Sequence, residues 1–162
     1  MVKGNILSWD SVEVYLGSIG MISDVDIQRV KDIFLQGRVL CPEELETMFI
    51  SNYEEPDGKK QFKDLWLFSD KYLIESLNFS KVETPKLEMT IFSNSIHSVS
   101  FETNNFNLKK AKDNSKLHIV FYTLTSFSCD QIASGSNCDA MMSIYNKYVK
   151  PNLSSGQSTE LL

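Results

Sequence analysis

FKDLWLFSDKYLIESLNF, residues 62–79, decides the fold. Two apolar runs flank a short polar joint, Ser69-Asp70-Lys71. Leu65, Leu67 and Tyr72 recur at strand spacing, and Trp66, Phe68, Leu73 and Ile74 fill the positions between them. Short apolar runs broken by turn residues read as paired strands, here 62–68 and 71–79, forming a hairpin at the centre of an antiparallel sheet.

Moving outward, the same period of two continues on both sides. LETMFISNYEE (45–55) is strand-like and ends in the turn residues Glu54 to Gly58. After a loop at 80–85, KLEMTIF (86–92) alternates with Leu87, Met89 and Ile91 on one side. Further strands are expected over 95–103, over NFNLKKA (105–111) and over KLHIVFYTLT (116–125), with 126–136 as a loop. Seven strands in sequence with short connections imply a meander and antiparallel pairing.

Helices bracket these strands. Ser23 is suited to cap a helix whose first turn holds Asp24 and Asp26. Ile27, Val30, Ile33 and Phe34 form its apolar face, and Gly37 is placed as the residue just past its end, giving a helix over 24–36. Pro42-Glu43-Glu44 reads as a second, one-turn helical start. Residues 1–22 leave a short helix or an extended arm open, with Gly17 and Gly20 as a break. Asn137 is suited to cap a final helix with Met141, Ile144, Tyr145 and Tyr148 as its stripe and Pro151 as its stop. The order is therefore a helical extension (1–44), seven strands with a C-terminal helix (45–150), and a tail (151–162).

Seven antiparallel strands must cover their edges and one apolar face. A barrel capped by the last helix does both, so the expected fold class is α+β. This order of seven strands and then one helix resembles the pleckstrin-homology (PH) superfold. Lys63-Asp64-Leu65-Trp66-Leu67-Phe68-Ser69-Asp70-Lys71-Tyr72-Leu73-Ile74 carries the resemblance. It is similar to the second and third strands of PH modules beside Dbl-type exchange domains. Tyr145 and Tyr148 stand in the last helix, where many PH domains have a tryptophan, and the glycine usual in the first strand is absent, which leaves open a more distant PH-like relative such as a GRAM-type or bacterial PH-like domain. The resemblance implies a non-catalytic binding module for phosphoinositide lipids or for a protein partner.

Composition bounds the alternatives. Hydrophobic residues make up 42% of 162, enough for a sizeable core. A net charge of −5 disfavours a general nucleic-acid binder. No run of 18 apolar residues appears, the N-terminus lacks a signal peptide's apolar core, and three cysteines (Cys41, Cys129, Cys138) read as free thiols, with a Cys129–Cys138 pair across a loop as the alternative. These features suggest a cytoplasmic protein, peripheral to a membrane if lipid is bound. Asn78 and Asn152 lie in glycosylation patterns that occur often by chance.

The charges are distributed unevenly. Residues 1–58 hold four basic and eleven acidic residues, net −7, whereas 59–116 hold ten basic and seven acidic, net +3. The lysines gather at Lys59, Lys60 and Lys63, at Lys81 and Lys86, and at Lys109, Lys110, Lys112 and Lys116. On the strand assignment above these are three connections, and the resemblance implies that they meet at one open end as a lipid head-group site. Converging cations are what phosphate binding requires. No arginine follows Arg38, and arginine's two-pronged fork is the usual choice for specific phosphate recognition. Lysines at turns are also common on β-proteins that bind nothing there.

No catalytic or metal-binding pattern is present. His97 and His118, the only histidines, sit in strands without ligand spacing, and GxSxG, GxGxxG and P-loop motifs are missing. Neither a cofactor nor a small-molecule substrate is implied. The acidic N-terminal region is the expected face for a basic protein partner.

Overall fold

Leu65, Leu67 and Ile74 lie on one face of a sheet whose other face carries Phe49, Trp66 and Phe68, and all six are buried. This is why the 62–79 stretch shows no polar alternation: apolar residues are needed on both sides. A computed structural model describes residues 6–93, 95–103, 116–123 and 128–153. The chain divides into two compact units, Met1–Ile91 and Phe92–Leu162.

The first unit has two helices, α1 (Trp9–Ser18) and α2 (Asp24–Leu40), and four strands, β1 (Thr47–Glu54), β2 (Lys60–Phe68), β3 (Tyr72–Ser76) and β4 (Glu88–Ile91). The strands form an antiparallel meander in chain order. Helices and sheet share one core, in which Val12, Leu16, Val30, Ile33 and Phe34 meet Met48, Ile50, Leu65, Leu67 and Ile74. The expected helical extension is thus one wall of this core. α1 also covers the outer edge of β1: Ile50 donates its backbone N–H to Tyr15 Oη (2.9 Å), and Tyr15 Oη–H donates to Ile50 C=O (3.4 Å). At Ile50 the edge of β1 is thus satisfied by a side chain.

Two expectations fail here for packing reasons. α2 runs to Leu40, past the expected end at 36, and Gly37 is a buried interior residue. A Cβ on Gly37 would lie 2.5 Å from Leu67 Cδ1, so glycine is needed for the approach of helix to sheet. Pro42-Glu43-Glu44 forms no helix. Glu43 Oε1 instead accepts from Ser69 Oγ (2.8 Å) and Lys71 N–H (3.0 Å), and so fastens the β2–β3 turn. In the open 1–22 region a helix wins: Ser8 and Ser11 cap α1 reciprocally, and Gly20 turns the chain with φ 78°.

The second unit has β5 (Ile96–Thr103), β6 (Lys116–Thr123), β7 (Ser128–Ser134) and α3 (Asn137–Ile144), followed by a π-helical turn (Tyr145–Val149) and a 3-10 turn (Lys150–Asn152). Its sheet is antiparallel in the order β5-β6-β7. β7 corrects the expected loop over 126–136. Cys129, Gln131 and Ala133 are buried at every second position, and the strand completes the second edge of β6. The strand expected over 105–111 lies outside the described residues. Ser136, not Asn137, is the residue preceding α3. Helical backbone also continues through Pro151 as a 3-10 turn. The apolar stripe is as expected, with Met141, Ile144 and Tyr148 buried and Tyr145 edge-on to Phe101 at 4.8 Å.

The fold is therefore α+β with two antiparallel sheets, of four and three strands. Among the described residues no strand pairing links the two sheets into the single closed barrel that was expected.

Candidate functional site: the lysine-bearing end of the first sheet

In an antiparallel meander the β1–β2 and β3–β4 connections fall at the same end of the sheet, which brings two of the three lysine groups together. A bulge in β2 ties them. Ile50 pairs with Leu65 but Asn52 pairs with Phe62, so Lys63-Asp64 oppose the single residue Ser51. Ser51 Oγ accepts the bulged Asp64 N–H (2.9 Å). Asp64 Oδ1 accepts Asn78 N–H (2.8 Å), Lys63 C=O accepts Phe79 N–H (3.1 Å), and Phe62 C=O accepts Ser80 Oγ–H (3.0 Å). Asn78 takes φ 52°, a backbone conformation asparagine tolerates. Arg29 of α2 donates to the carbonyls of Phe79 (3.0 Å) and Val82, holding the same turn from the helix side.

A cleft of about 630 Å³ opens at this end, lined by Lys59, Lys60, Gln61 and Ser80, with Ile22 and Ser23 from the α1–α2 connection and Asp26 from α2. Lys59, Lys60, Lys63 and Lys81 are all exposed. Lys60 lies over Gly20, where a Cβ would meet its Nζ at 2.6 Å. Its ammonium thus sits just beyond the C-terminus of α1, whose last turn has no basic residue, and complements the negative end of that helix. Lys86 is paired with Glu88 at 3.2 Å. Lys109, Lys110 and Lys112 lie outside the described residues, and Lys116 begins β6. Carboxylates share the end: Glu54, Glu55 and Asp57 belong to the β1–β2 connection, and Asp26 reaches the cleft. Ile22, 89% exposed, stands at the rim. Ile22 has one signal in the sequence, its position as an apolar residue between Gly20 and the capping Ser23.

The titratable groups elsewhere have structural surroundings. Trp66 Nε1–H donates to the buried Glu75 at 3.0 Å. Burial pushes the Glu75 carboxyl up to about 7; the tryptophan bond opposes this, and Asp64 and Glu88 add to it. His118 bridges Glu102 (3.3 Å, Nδ1) and Asp130 (Nε2) across the second sheet. Desolvation lowers its pKa, but the two carboxylates outweigh this and raise it above the ordinary histidine value. Those carboxylates sit on different ring nitrogens, so they do not converge on one point. Among the described residues no three His, Cys, Asp or Glu side chains are placed to hold a metal ion. All three cysteines are unbridged and buried. Nor, among the described residues, is any helix long and apolar enough to cross a membrane. No family model matches the chain, and no curated protein or solved structure matches it either.

Proposed function

We propose that the chain is a non-catalytic, PH-like binding module that docks on anionic, phosphoinositide-bearing membrane surfaces through its lysine-bearing end. The order of seven strands and then a helix is what a PH-like reading requires, and a closed PH-like barrel belongs to this proposal. One observation carries the lipid reading. The bulge bonds tie the start of β2, which carries Lys60 and Lys63 and follows Lys59, to the β3–β4 connection that carries Lys81, and the exposed Ile22 lines the same cleft as Lys59 and Lys60. Cations beside an exposed apolar side chain suit an anionic lipid–water interface, where the apolar group enters the headgroup layer.

The acids Asp26, Glu54, Glu55 and Asp57 offset part of this charge. The docking is accordingly weak, salt-sensitive and dependent on dense surface charge, unlike a closed head-group pocket. Co-sedimentation with vesicles of phosphatidylcholine plus phosphatidylinositol bisphosphate at low salt tests it. Binding is expected to those vesicles and to be lost in the triple variant Lys59→Glu, Lys60→Glu, Lys63→Glu. Equal binding of parent and variant, or no binding by the parent, overturns the reading. A protein partner is the second reading, favoured by the exposed apolar residues of α2.

A further inference from the structure

β4 is the outer strand of the first sheet. Ser69 N–H donates to Tyr72 C=O at 3.0 Å, which makes Ser69–Tyr72 a hydrogen-bonded pair of the β2–β3 hairpin. Such pairs alternate along an antiparallel ladder, so Ile74 bonds towards β2, whereas Leu73 and Glu75 bond towards β4. Their partners Thr90 and Glu88 therefore bond inwards, and the backbone N–H and C=O groups of Met89 and Ile91 point away from the sheet. Among the described residues no backbone or side-chain group is bonded to this outer edge. The side chains of Met89 and Ile91 lie on the α2 face of the sheet, opposite Ile74 and Tyr72, and are 38% and 62% accessible. Leu87 precedes them on that face and lines a groove of about 490 Å³ with Leu35, Gln36, Val39 and Leu40 of α2. Edge strands are normally blunted by charge, cover or distortion. Here the two residues that bond outwards are apolar and exposed.

We propose that β4 pairs antiparallel with β4 of a second copy, joining two four-stranded sheets into one continuous sheet. The outward N–H and C=O groups are matched by extended backbone, and the sequence of β4 is complementary to itself about Met89. With the two-fold axis at Met89, that residue opposes the partner's Met89, and Leu87 opposes the partner's Ile91, all on the α2 face. Each exposed Ile91 is thereby carried to the groove beside the Leu87 that it opposes, a knob for a hole. On the other face Glu88 opposes the partner's Thr90, whose hydroxyl can donate to the carboxylate. No like charges meet along the ladder, and Lys86 is paired with Glu88 of its own strand at 3.2 Å. The contact is one short ladder and two grooves. That is small against the ~1,200–2,000 Å² of a standard interface, so the dimer is weak and concentration-dependent. The inference rests on the ladder of the first unit and not on the lipid reading.

The test uses the full chain in the absence of lipid, so its outcome is independent of the vesicle result. Sedimentation velocity over a concentration series should show a monomer–dimer equilibrium with a Kd on the order of 10 μM. Ile91→Glu should weaken it by about tenfold or more, since it places a charge in each apolar groove. Ile91 is exposed, and circular dichroism of the variant verifies folding. Cysteine cross-linking then reads the register. Residues of a hydrogen-bonded pair stand about 5.5 Å apart at Cα, within reach of a disulfide. Oxidised Met89→Cys should therefore run as a covalent dimer on a non-reducing gel. Ile91→Cys alone should stay monomeric, and the double variant Leu87→Cys, Ile91→Cys should cross-link again. The native cysteines are buried and serve as the background in the parent. A parent that is monomeric throughout the series overturns the proposal, as it would if the edge served a different protein. So does a dimer insensitive to Ile91→Glu, or cross-linking of Ile91→Cys as efficient as that of Met89→Cys.

Discussion

At the scale of single residues, Glu75 shows what burial does to a carboxylate. It pairs directly with Trp66 on β2 and with Glu88 on β4, and the indole N–H of Trp66 donates to its carboxylate. Its folded-state pKa, about 7, stands above the ordinary 4.5. The folded state therefore binds more protons than the unfolded chain between those values, and stability falls as pH rises through that window. Glu75→Gln keeps an acceptor for Trp66 and removes the ionisation. It should stabilise the protein at pH 8 by up to about 3 kcal/mol, at about 1.4 kcal/mol per pH unit, with no gain near pH 4. Urea denaturation of both proteins at the two pH values decides it; a gain of equal size at pH 4 would show a packing effect instead.

Gly37 is the other residue whose meaning changed with the structure. In sequence it stands where a helix-ending glycine would, yet it lies inside α2 facing Leu67. Gly37→Ala gains helix propensity of up to about 1 kcal/mol but meets the fully buried Leu67, at an overpacking cost of about 1–3 kcal/mol. Net destabilisation is expected by thermal unfolding, and Leu67→Val should recover part of it in the double variant. An increase in melting temperature from Gly37→Ala alone would contradict the close approach.

At the scale of elements, the second sheet carries a clasp. His118 on β6 lies between Glu102 on β5 and Asp130 on β7, so one protonated ring links three strands. Its pKa is raised in the fold, hence the stabilisation is complete below the unfolded value of about 6.5 and is lost as pH rises through the folded value. Exposure of Glu102 and Asp130 to solvent screens the pair and keeps the effect small. An NMR titration of His118 should give a pKa above 6.5, and Asp130→Asn should lower it; an unchanged value in that variant would remove Asp130 as the cause. β7 itself was not readable as a strand. Its residues, SCDQIAS, are mostly small or polar, with Ile132 as the one strong strand former, and its pairing with β6 is what extends it.

At the scale of the molecule, charge is the property on which the proposed docking rests. The acidic first 58 residues hold α1, α2 and β1, and the lysines that follow open β2 and the β3–β4 connection. These charges do not separate cleanly in space, because Lys59 follows Asp57 in one turn and donates its backbone N–H to that carboxylate at 2.9 Å. For the proposed vesicle docking this has a consequence: Asp57→Asn should strengthen binding to the phosphoinositide vesicles and shift its loss to higher salt. A variant with unchanged binding would exclude the β1–β2 turn from the contact.

What local chemistry encodes was legible without coordinates. The hairpin around Ser69-Asp70-Lys71, the start of α2 at Ser23, the stripe of the last helix and the antiparallel order all follow from periods of 2 and 3.6 and from capping residues, which depend on near neighbours in the chain. What depends on distant partners was not. Gly37 became a helix-interior residue because Leu67, thirty positions away, approaches it. Glu43 became a turn fastener because Ser69 folds back to it. The seven strands fell into two ladders, and the lysines of two connections came to share an end with acids and an exposed isoleucine, because pairing and packing choose neighbours by space and not by sequence.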